Sequence, residues 1–151
     1  KFIARRLIIS AAEDIGLANP TALVMANNCF EALQKIGWPE GRIVLSQCAI
    51  YLALSPKSNS AYLAINKAQY IVREKGDFSI PLSLRNAPTK LMEELDYGKD
   101  YLYSHDNLDK LHLQEFLPDE IKGTSIYQPK QNKKESEYGK LIEKIWKGKY
   151  Q

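Results

Sequence analysis

Apolar residues recur at helical spacing over the first half of the chain. In the opening segment KFIARRLIISAAEDIG they follow the i, i+3, i+4 rule, while Arg5 and Arg6 lie on the other face. The expected inward positions are Ala4, Leu7, Ile8, Ala11, Ala12 and Ile15. Gly16 is placed to end this helix, since glycine tolerates the left-handed backbone of many helix ends. The pattern begins within a helix and without a capping residue, so we expect a segment of a longer protein.

A second helix is predicted from ANPTALVMANNCFEALQKIG. Asn19 is a natural N-cap, and Pro20 suits the first helical position, where its missing N–H is no loss. Gly37 ends the helix. The expected buried positions are Leu23, Ala26, Phe30 and Leu33.

Two further helices complete a predicted bundle. The third, Ile43 to Leu54, is apolar almost all round, which predicts a place in the middle of the bundle. The fourth runs from about Asn59 to Lys75, and its expected inward residues are Ala61, Ala64, Ile65, Ala68, Ile71 and Val72. Four helices with connections of a few residues predict an all-α, antiparallel helical bundle.

The pattern changes after Gly76. The segment DFSIPLSLRNAP reads as extended, because residues before proline avoid the helical region, and Thr89 is a plausible cap for a short helix. Beyond it we expect irregular structure, with a short hairpin as one form it could take, and then a terminal helix from Lys133 to Lys147. The predicted organisation is a bundle core at 1–76, an irregular segment at 77–129 and a basic C-terminal helix or tail at 130–151.

Composition and charge narrow the class of protein. Hydrophobic residues make up 44% and charged residues 26% of the 151 positions, the balance of an ordinary globular domain. Residues 130–151 contain seven lysines and three glutamates, an excess of four positive charges, so with a net charge of +3 the rest of the chain is near −1. Cys29 and Cys48 lie in apolar helical patterns, which favours reduced core thiols in a cytoplasmic protein. No apolar run reaches the eighteen or so residues of a membrane span.

The sequence contains only weak signals for a reaction centre. The sequence contains neither a P-loop nor a dinucleotide-binding glycine motif. His105 beside Asp106 could orient a general base, but no nucleophile accompanies the pair, and with His112 it gives poor metal-ligand spacing. The acidic residues Glu93, Glu94 and Asp96 fit a solvated face of one short helix. We therefore expect no catalytic residue, no metal and no cofactor in this chain.

Several motifs resemble the C-terminal region of the RarA/MgsA family of AAA+ ATPases, which are clamp-loader-like proteins of replication-associated recombination. The most specific are SPKSN, LRNAPTKLM and YGKDYLYSHD, and the resemblance runs from about Ala4 to about Pro129. It implies a parent DNA-dependent ATPase that acts at replication forks, with its ATP and Mg²⁺ site in an N-terminal module whose motifs are not found here.

The resemblance also implies a role for this region as a collar that joins subunits, with a homotetramer as the expected assembly and replication-fork proteins as further partners. The motif residues would then fix the irregular segment to the bundle or meet a neighbouring subunit. They are Lys57, Asn59, Arg85, Asn86, Lys90, Tyr97 and Tyr101.

A DNA-contacting domain is the alternative function. Basic side chains would contact phosphate, and the closely spaced Tyr97, Tyr101 and Tyr103 would stack on bases. The candidate cations are Arg5, Arg6, Lys133, Lys134, Lys140 and Lys144. Asp96, Asp100 and Asp106 lie close to these tyrosines in the sequence, and a DNA-binding surface would be more basic. Packing of the tyrosines against the bundle is therefore the competing interpretation. The two functions are compatible, since an oligomer gathers several weak basic patches into one surface.

Overall fold

The structure of the chain is a computed structural model that describes residues 1–106 and 108–150. Six α-helices follow one another in this part of the chain: α1 (Phe2–Ser10), α2 (Thr21–Ile36), α3 (Gly41–Leu54), α4 (Ser60–Lys75), α5 (Lys90–Glu94) and α6 (Lys133–Trp146). Short 3₁₀ segments lie at Gly16–Ala18, Leu82–Leu84, Leu108–Leu113 and Asp119–Ile121. The predicted all-α class is confirmed.

The chain divides into two compact units. The first unit comprises 1–68 and 127–139, and the second comprises 69–126 and 140–151. The boundaries expected from the sequence, at 76 and 129, stay a prediction.

The core of the first unit is built from α1, the turn that follows it, α2 and α3, and six of its ten buried residues are alanine or cysteine. Its buried residues are Ala4, Ala11, Ile15, Ala22, Ala26, Cys29, Leu33, Leu45, Cys48 and Leu52. Alanine and cysteine leave little volume between helices, so the helix backbones pack closely. Two of the core positions expected in the first two helices are wrong: Ala12 is exposed, and Leu23 is 45% exposed because it lies one position beside the buried Ala22–Ala26 row.

The connection between α1 and α2 is tightly formed. A π-helical turn, Ala11–Ile15, extends α1 as far as Gly16, whose φ is +49°. A Cβ at Gly16 would lie 2.8 Å from the carbonyl oxygen of Ser58, so both the backbone angle and the close approach require glycine here. The predicted end of the first helix is confirmed.

Asn19 plays a different part from the predicted helix cap. The helix begins at Thr21 after Pro20, and no side-chain cap bonds its first turn. The Asn19 amide instead donates hydrogen bonds of 3.0 Å to the Tyr51 hydroxyl and 3.0 Å to the Ser55 hydroxyl. The side chain therefore ties the start of α2 to the end of α3.

The second unit is mostly irregular. Its described side chains are half-buried or exposed apart from Gln114, whose carbonyl Oε1 accepts a hydrogen bond of 2.8 Å from the Leu102 N–H. Thr89 caps α5, as predicted, by accepting from the Met92 N–H. The hairpin considered for this segment does not form, since the described residues between 77 and 129 contain no strand. Four prolines there interrupt any ladder, because each lacks a donor.

The C-terminal end of the second unit is held by an ion pair and by aromatic packing. Lys149 Nζ lies 3.4 Å from Glu115 Oε2 and also donates to the Gln114 carbonyl oxygen. The rings of Phe116 and Trp146 meet edge to face with centroids 5.7 Å apart, a favoured aromatic geometry. These contacts fix the end of the described chain.

Candidate assembly surface and polar motifs

Helix α3 presents an uncovered apolar face. It carries no charged residue from Ile43 to Leu54, yet Ile43 is 60%, Ile50 57% and Leu54 82% exposed. These positions follow one another at helical spacing, so they lie on one side of the helix. The prediction that α3 is buried in the middle of the bundle is wrong within a single copy, where only one side of the helix packs on the core.

This face, which we call the α3 face, is shaped as two adjoining shallow hollows. One, of about 440 Å³, extends from Met25 and Gln47 to Leu54. The other, of about 510 Å³, is lined by Arg42, Ile43, Ser46, Gln47 and Ile50. Gln47 and Ile50 line both. The small Ser46 beside the large Ile43 and Ile50 leaves room for the side chains of another apolar surface.

Helix α4 is also more exposed than its pattern predicts. Within the first unit, Tyr62 and Leu63 are exposed, and Ile65, an expected inward residue, is exposed as well. Ala61 and, in the second unit, Val72 are exposed against expectation too. The periodicity identified an apolar helix correctly, but the described residues of one copy do not cover it.

Lys57 of the SPKSN motif caps helix α3. Its ammonium group donates hydrogen bonds of 2.8 Å to the Leu52 carbonyl, 3.3 Å to the Ala53 carbonyl and 2.6 Å to the Ser55 carbonyl. These oxygens belong to the end of a helix, which carries partial negative charge and is stabilised by a cation. Asn59, by contrast, is exposed, and its carbonyl accepts from the Leu63 N–H at the start of α4.

A buried carboxylate that the sequence analysis did not single out organises the same region. Glu135 is fully buried in the first turn of α6. Its Oε2 accepts from the Tyr127 hydroxyl at 2.9 Å and from the Lys130 N–H at 3.1 Å. Its Oε1 accepts from the Asn132 amide at 2.8 Å, and the Glu135 N–H donates back to Asn132 Oδ1 at 2.9 Å. The pattern NKKE, an N-cap followed three residues later by glutamate, was the signal for this reciprocal cap.

The surroundings of Glu135 keep it ionised. Burial acts to raise its pKa, but hydrogen-bonding groups outweigh burial and lower the pKa to about 2. The groups that lower it are, in order, the Ser58 and Ser60 hydroxyls, the Asn132 side chain and the Lys130 N–H. Burial and the nearby carboxylate together raise the pKa of Tyr127 to about 12. Hydroxyl groups of the loop between α3 and α4 therefore help to keep the buried carboxylate at the start of α6 ionised.

The LRNAPTKLM and YGKDYLYSHD motifs meet through Arg85 and Tyr97. The Arg85 guanidinium donates from Nε to the Ile80 carbonyl at 2.7 Å and from Nη1 to the Tyr97 hydroxyl at 3.1 Å. Its central carbon also lies 5.1 Å from the centroid of the Tyr97 ring, within cation–π range. Tyr97 is therefore a partner of Arg85 and less suited to base stacking, whereas Tyr101 is exposed.

The remaining candidates of these motifs lie at the surface. Asn86 is exposed beside Arg85, and Lys90 is exposed at the first position of α5. The six candidate DNA-contacting cations are exposed as well: Arg5, Arg6, Lys133, Lys134, Lys140 and Lys144. Lys134 lies 3.4 Å from the Glu137 carboxylate, a surface pair of small energetic value.

The histidines lie near the surface of the second unit, and the cysteines lie in the core of the first unit. His105 is exposed and packs against Tyr103 with ring centroids 5.3 Å apart, while His112 is half-buried. Cys29 and Cys48 are buried free thiols, and burial with the neighbouring Cys29 raises the pKa of Cys48 to about 11. Over 1–106 and 108–150, no cluster of three or more metal-ligating side chains occurs. Nor does that part of the chain contain a helix long and apolar enough to cross a membrane.

Similar proteins place these features in a family. Residues 1–146 match the family described as MgsA AAA+ ATPase C terminal. Replication-associated recombination protein A of Coxiella burnetii is 43% identical over 129 residues, which are 85% of this chain and 29% of that relative. The Bacillus subtilis protein of the same name is 42% identical over 148 residues, 97% of this chain and 35% of the relative. The Escherichia coli K12 protein is 39% identical over 145 residues, 95% of this chain and 32% of the relative.

The matches confirm the resemblance carried by the sequence motifs. This chain spans about a third of the length of these curated relatives. A family match that covers residues 1–146 of 151 shows that the chain belongs to the C-terminal family of MgsA AAA+ ATPases.

Proposed function

We propose that this chain is an assembly domain that joins copies of a parent AAA+ ATPase and has no catalytic site of its own. The single observation that carries the proposal is the α3 face, whose large side chains are uncovered and whose helix lacks charge after Arg42. Uncovered apolar surface of this kind marks interaction sites, and the centre of an interface is depleted of charged residues.

A second copy of the chain is the occupant proposed for the α3 face. Two such faces are chemically alike, and burying a large aliphatic side chain contributes about 1.5–3 kcal/mol. Closed, symmetric assemblies of identical chains are common among oligomers. The expected assembly is a homotetramer, in which the exposed apolar residues of α4 offer a second contact.

The parent protein proposed here acts in replication-associated recombination, as the names of the relatives state. Its ATP and Mg²⁺ would bind in a module outside this chain, and DNA and replication-fork proteins would be its partners, in the cytoplasm at the nucleoid. This chain would hold the ATPase modules at a fixed spacing, so that several act together on one DNA.

Light scattering during size exclusion tests the assembly role. The chain at tens of micromolar should elute with the mass of a tetramer, and the mass should persist at high salt, because apolar contacts are not screened by ions. A monomer at both salt concentrations would reject the proposed function.

DNA contact is the second candidate, and the exposed lysines of α6 support it. Lys133, Lys140 and Lys144 follow one another at helical spacing and are exposed. If they neutralise phosphates, the affinity for DNA should fall steeply with salt because counterions are released on binding. Binding that does not weaken with salt would remove this candidate.

A further inference from the structure

A second, more polar cleft lies within the second unit. It measures about 530 Å³ and is lined on one side by 83–87 and on the other by Gly98, Tyr101 and Phe116. Ligand pockets commonly have volumes of about 300–1,000 Å³. None of the described residues that line it carries a carboxylate. The cleft differs in this chemistry from the apolar hollows of the α3 face.

Arg85, which carries a positive charge, is among the residues that line this cleft. The Ile80 carbonyl and the Tyr97 hydroxyl accept from two of its N–H groups, and its central carbon lies 5.1 Å from the centroid of the Tyr97 ring. Among the ion pairs of the described residues, none includes Arg85. A half-buried arginine that is held in place and has no acidic partner suits an anionic group of a ligand.

Aromatic rings and an amide complete the wall. Tyr101 is 45% exposed, while Phe116 is half-buried and fixed by its edge-to-face contact with Trp146. Asn86 is exposed at the same cleft and offers both a donor and an acceptor. Stacking surface with an amide at its side matches the flat face and the polar edge of a nucleobase.

The segment that borders the cleft has an unusual backbone. Asp96 and Asp100 both have a φ of +61°, on either side of Gly98 at +71°. A Cβ at Gly98 would lie 3.2 Å from the Arg85 carbonyl oxygen, so glycine lets the two sides of the cleft approach. Non-glycine residues in this region cost energy and are often found at ligand sites. Asp96 is paired with Lys99 at 2.9 Å, which reduces its repulsion of an anion.

The geometry points to this cleft as a binding site for one nucleoside monophosphate unit, with phosphate on Arg85, the base on Tyr101 and its polar edge on Asn86. The unit could come from a free nucleotide or from single-stranded nucleic acid. The lining residues belong to one copy of the chain, so the site does not depend on the proposed assembly.

Nuclear magnetic resonance titration of the intact chain with thymidine monophosphate and with a ten-residue thymidine strand tests the site. The backbone signals of 83–87, 98 and 101 should shift with both probes. Much tighter binding of the strand than of the mononucleotide would identify single-stranded nucleic acid as the ligand. Equal affinities of the two probes would identify the free nucleotide. No shift at millimolar nucleotide, or shifts confined to α6, would overturn the proposal.

Tyrosine variants provide the matched comparison. Tyr101→Ala should weaken binding of the tighter probe about tenfold, in keeping with the loss of one stacked base, and Tyr101→Phe should retain it. Tyr103→Ala is the control, because Tyr103 is similarly exposed but does not line the cleft. Equal losses at the two tyrosines would reject the site. If Tyr101→Ala does not fold, Asn86→Ala replaces it, with weaker binding expected.

A competitor separates nucleotide from peptide chemistry. N-acetylphenylalanine carries a carboxylate and an aromatic ring but no phosphate and no base edge. It should not displace the thymidine probes at comparable concentration. Full displacement would show that the cleft is an aromatic-carboxylate site, as in recognition of a peptide end, and would overturn the nucleotide assignment.

Discussion

The hydroxyl of Tyr127 donates a hydrogen bond of 2.9 Å to the fully buried carboxylate of Glu135. This bond joins the segment before α6 to the helix itself, and the Lys130 N–H and the Asn132 amide add two more to the same carboxylate. A buried charge is stable only when hydrogen bonds replace its lost hydration. The first unit therefore depends on a polar centre as well as on its alanine-rich core.

Glu135→Gln should destabilise the chain by about 2–4 kcal/mol. The amide NH₂ of glutamine would face hydrogen-bond donors in place of a carboxylate oxygen, so these buried donors would lose their acceptor. Urea denaturation monitored by circular dichroism would measure the loss. Glu137→Gln is the matched control on the same helix, since Glu137 is exposed and should change stability by less than about 0.5 kcal/mol. Similar losses in the two variants would contradict the role given to Glu135.

Stability should depend on this carboxylate at acid pH. The pKa of Glu135 is lowered from 4.5 to about 2 in the folded chain, so the unfolded chain binds more protons between these values. The ionised carboxylate contributes roughly 3 kcal/mol to the free energy of unfolding. This contribution is present in full above pH 4.5 and is lost as the pH falls towards 2. The difference in unfolding free energy between wild type and Glu135→Gln should shrink over this range. A constant difference would contradict the shift.

Lys57→Met should weaken the end of α3 by about 1 kcal/mol, because three carbonyl oxygens lose a cationic donor. The midpoint of urea denaturation would report the change. Lys140→Met is the control, since it removes an exposed lysine of α6. An unchanged midpoint in Lys57→Met would show that the cap contributes little.

Ile50→Glu should lower the mass of the assembled chain, because it places a charge where both hollows of the α3 face meet. Light scattering at several concentrations measures the effect. Val24→Glu is the control: Val24 is similarly exposed on α2, on a face with Asn27, Asn28 and Glu31. If Val24→Glu dissociates the assembly and Ile50→Glu does not, the interface lies on α2 and not on the α3 face.

The two thiols should be unreactive in the native chain. Burial raises the pKa of Cys48 to about 11, and both Cys29 and Cys48 lie in the core. Because the thiolate is the reactive form, Ellman's reagent should modify them only as fast as the chain unfolds. Denaturant should make both react at once, whereas rapid reaction in native buffer would show that the core opens locally.

Much of the helical framework could be predicted from the sequence. Gly16 and Gly37 mark helix ends by their backbone freedom, and Thr89 marks a cap by its hydroxyl. These are local properties, set by residues close together in the chain. The family resemblance, likewise carried by contiguous motifs, is confirmed by the match over residues 1–146.

The sequence by itself determined the all-α class, the helix ends at Gly16 and Gly37, the Thr89 cap and the family, because each depends on short stretches of chain. Only the tertiary structure decided which apolar positions are covered: Ile50 and Ile65 follow the helical period yet stay exposed. The tertiary structure alone also showed the hydrogen bonds between Tyr127 and Glu135 and between Arg85 and Tyr97. Periodicity states which side chains share a helix face, whereas burial and hydrogen bonding depend on what packs against that face from elsewhere in the chain.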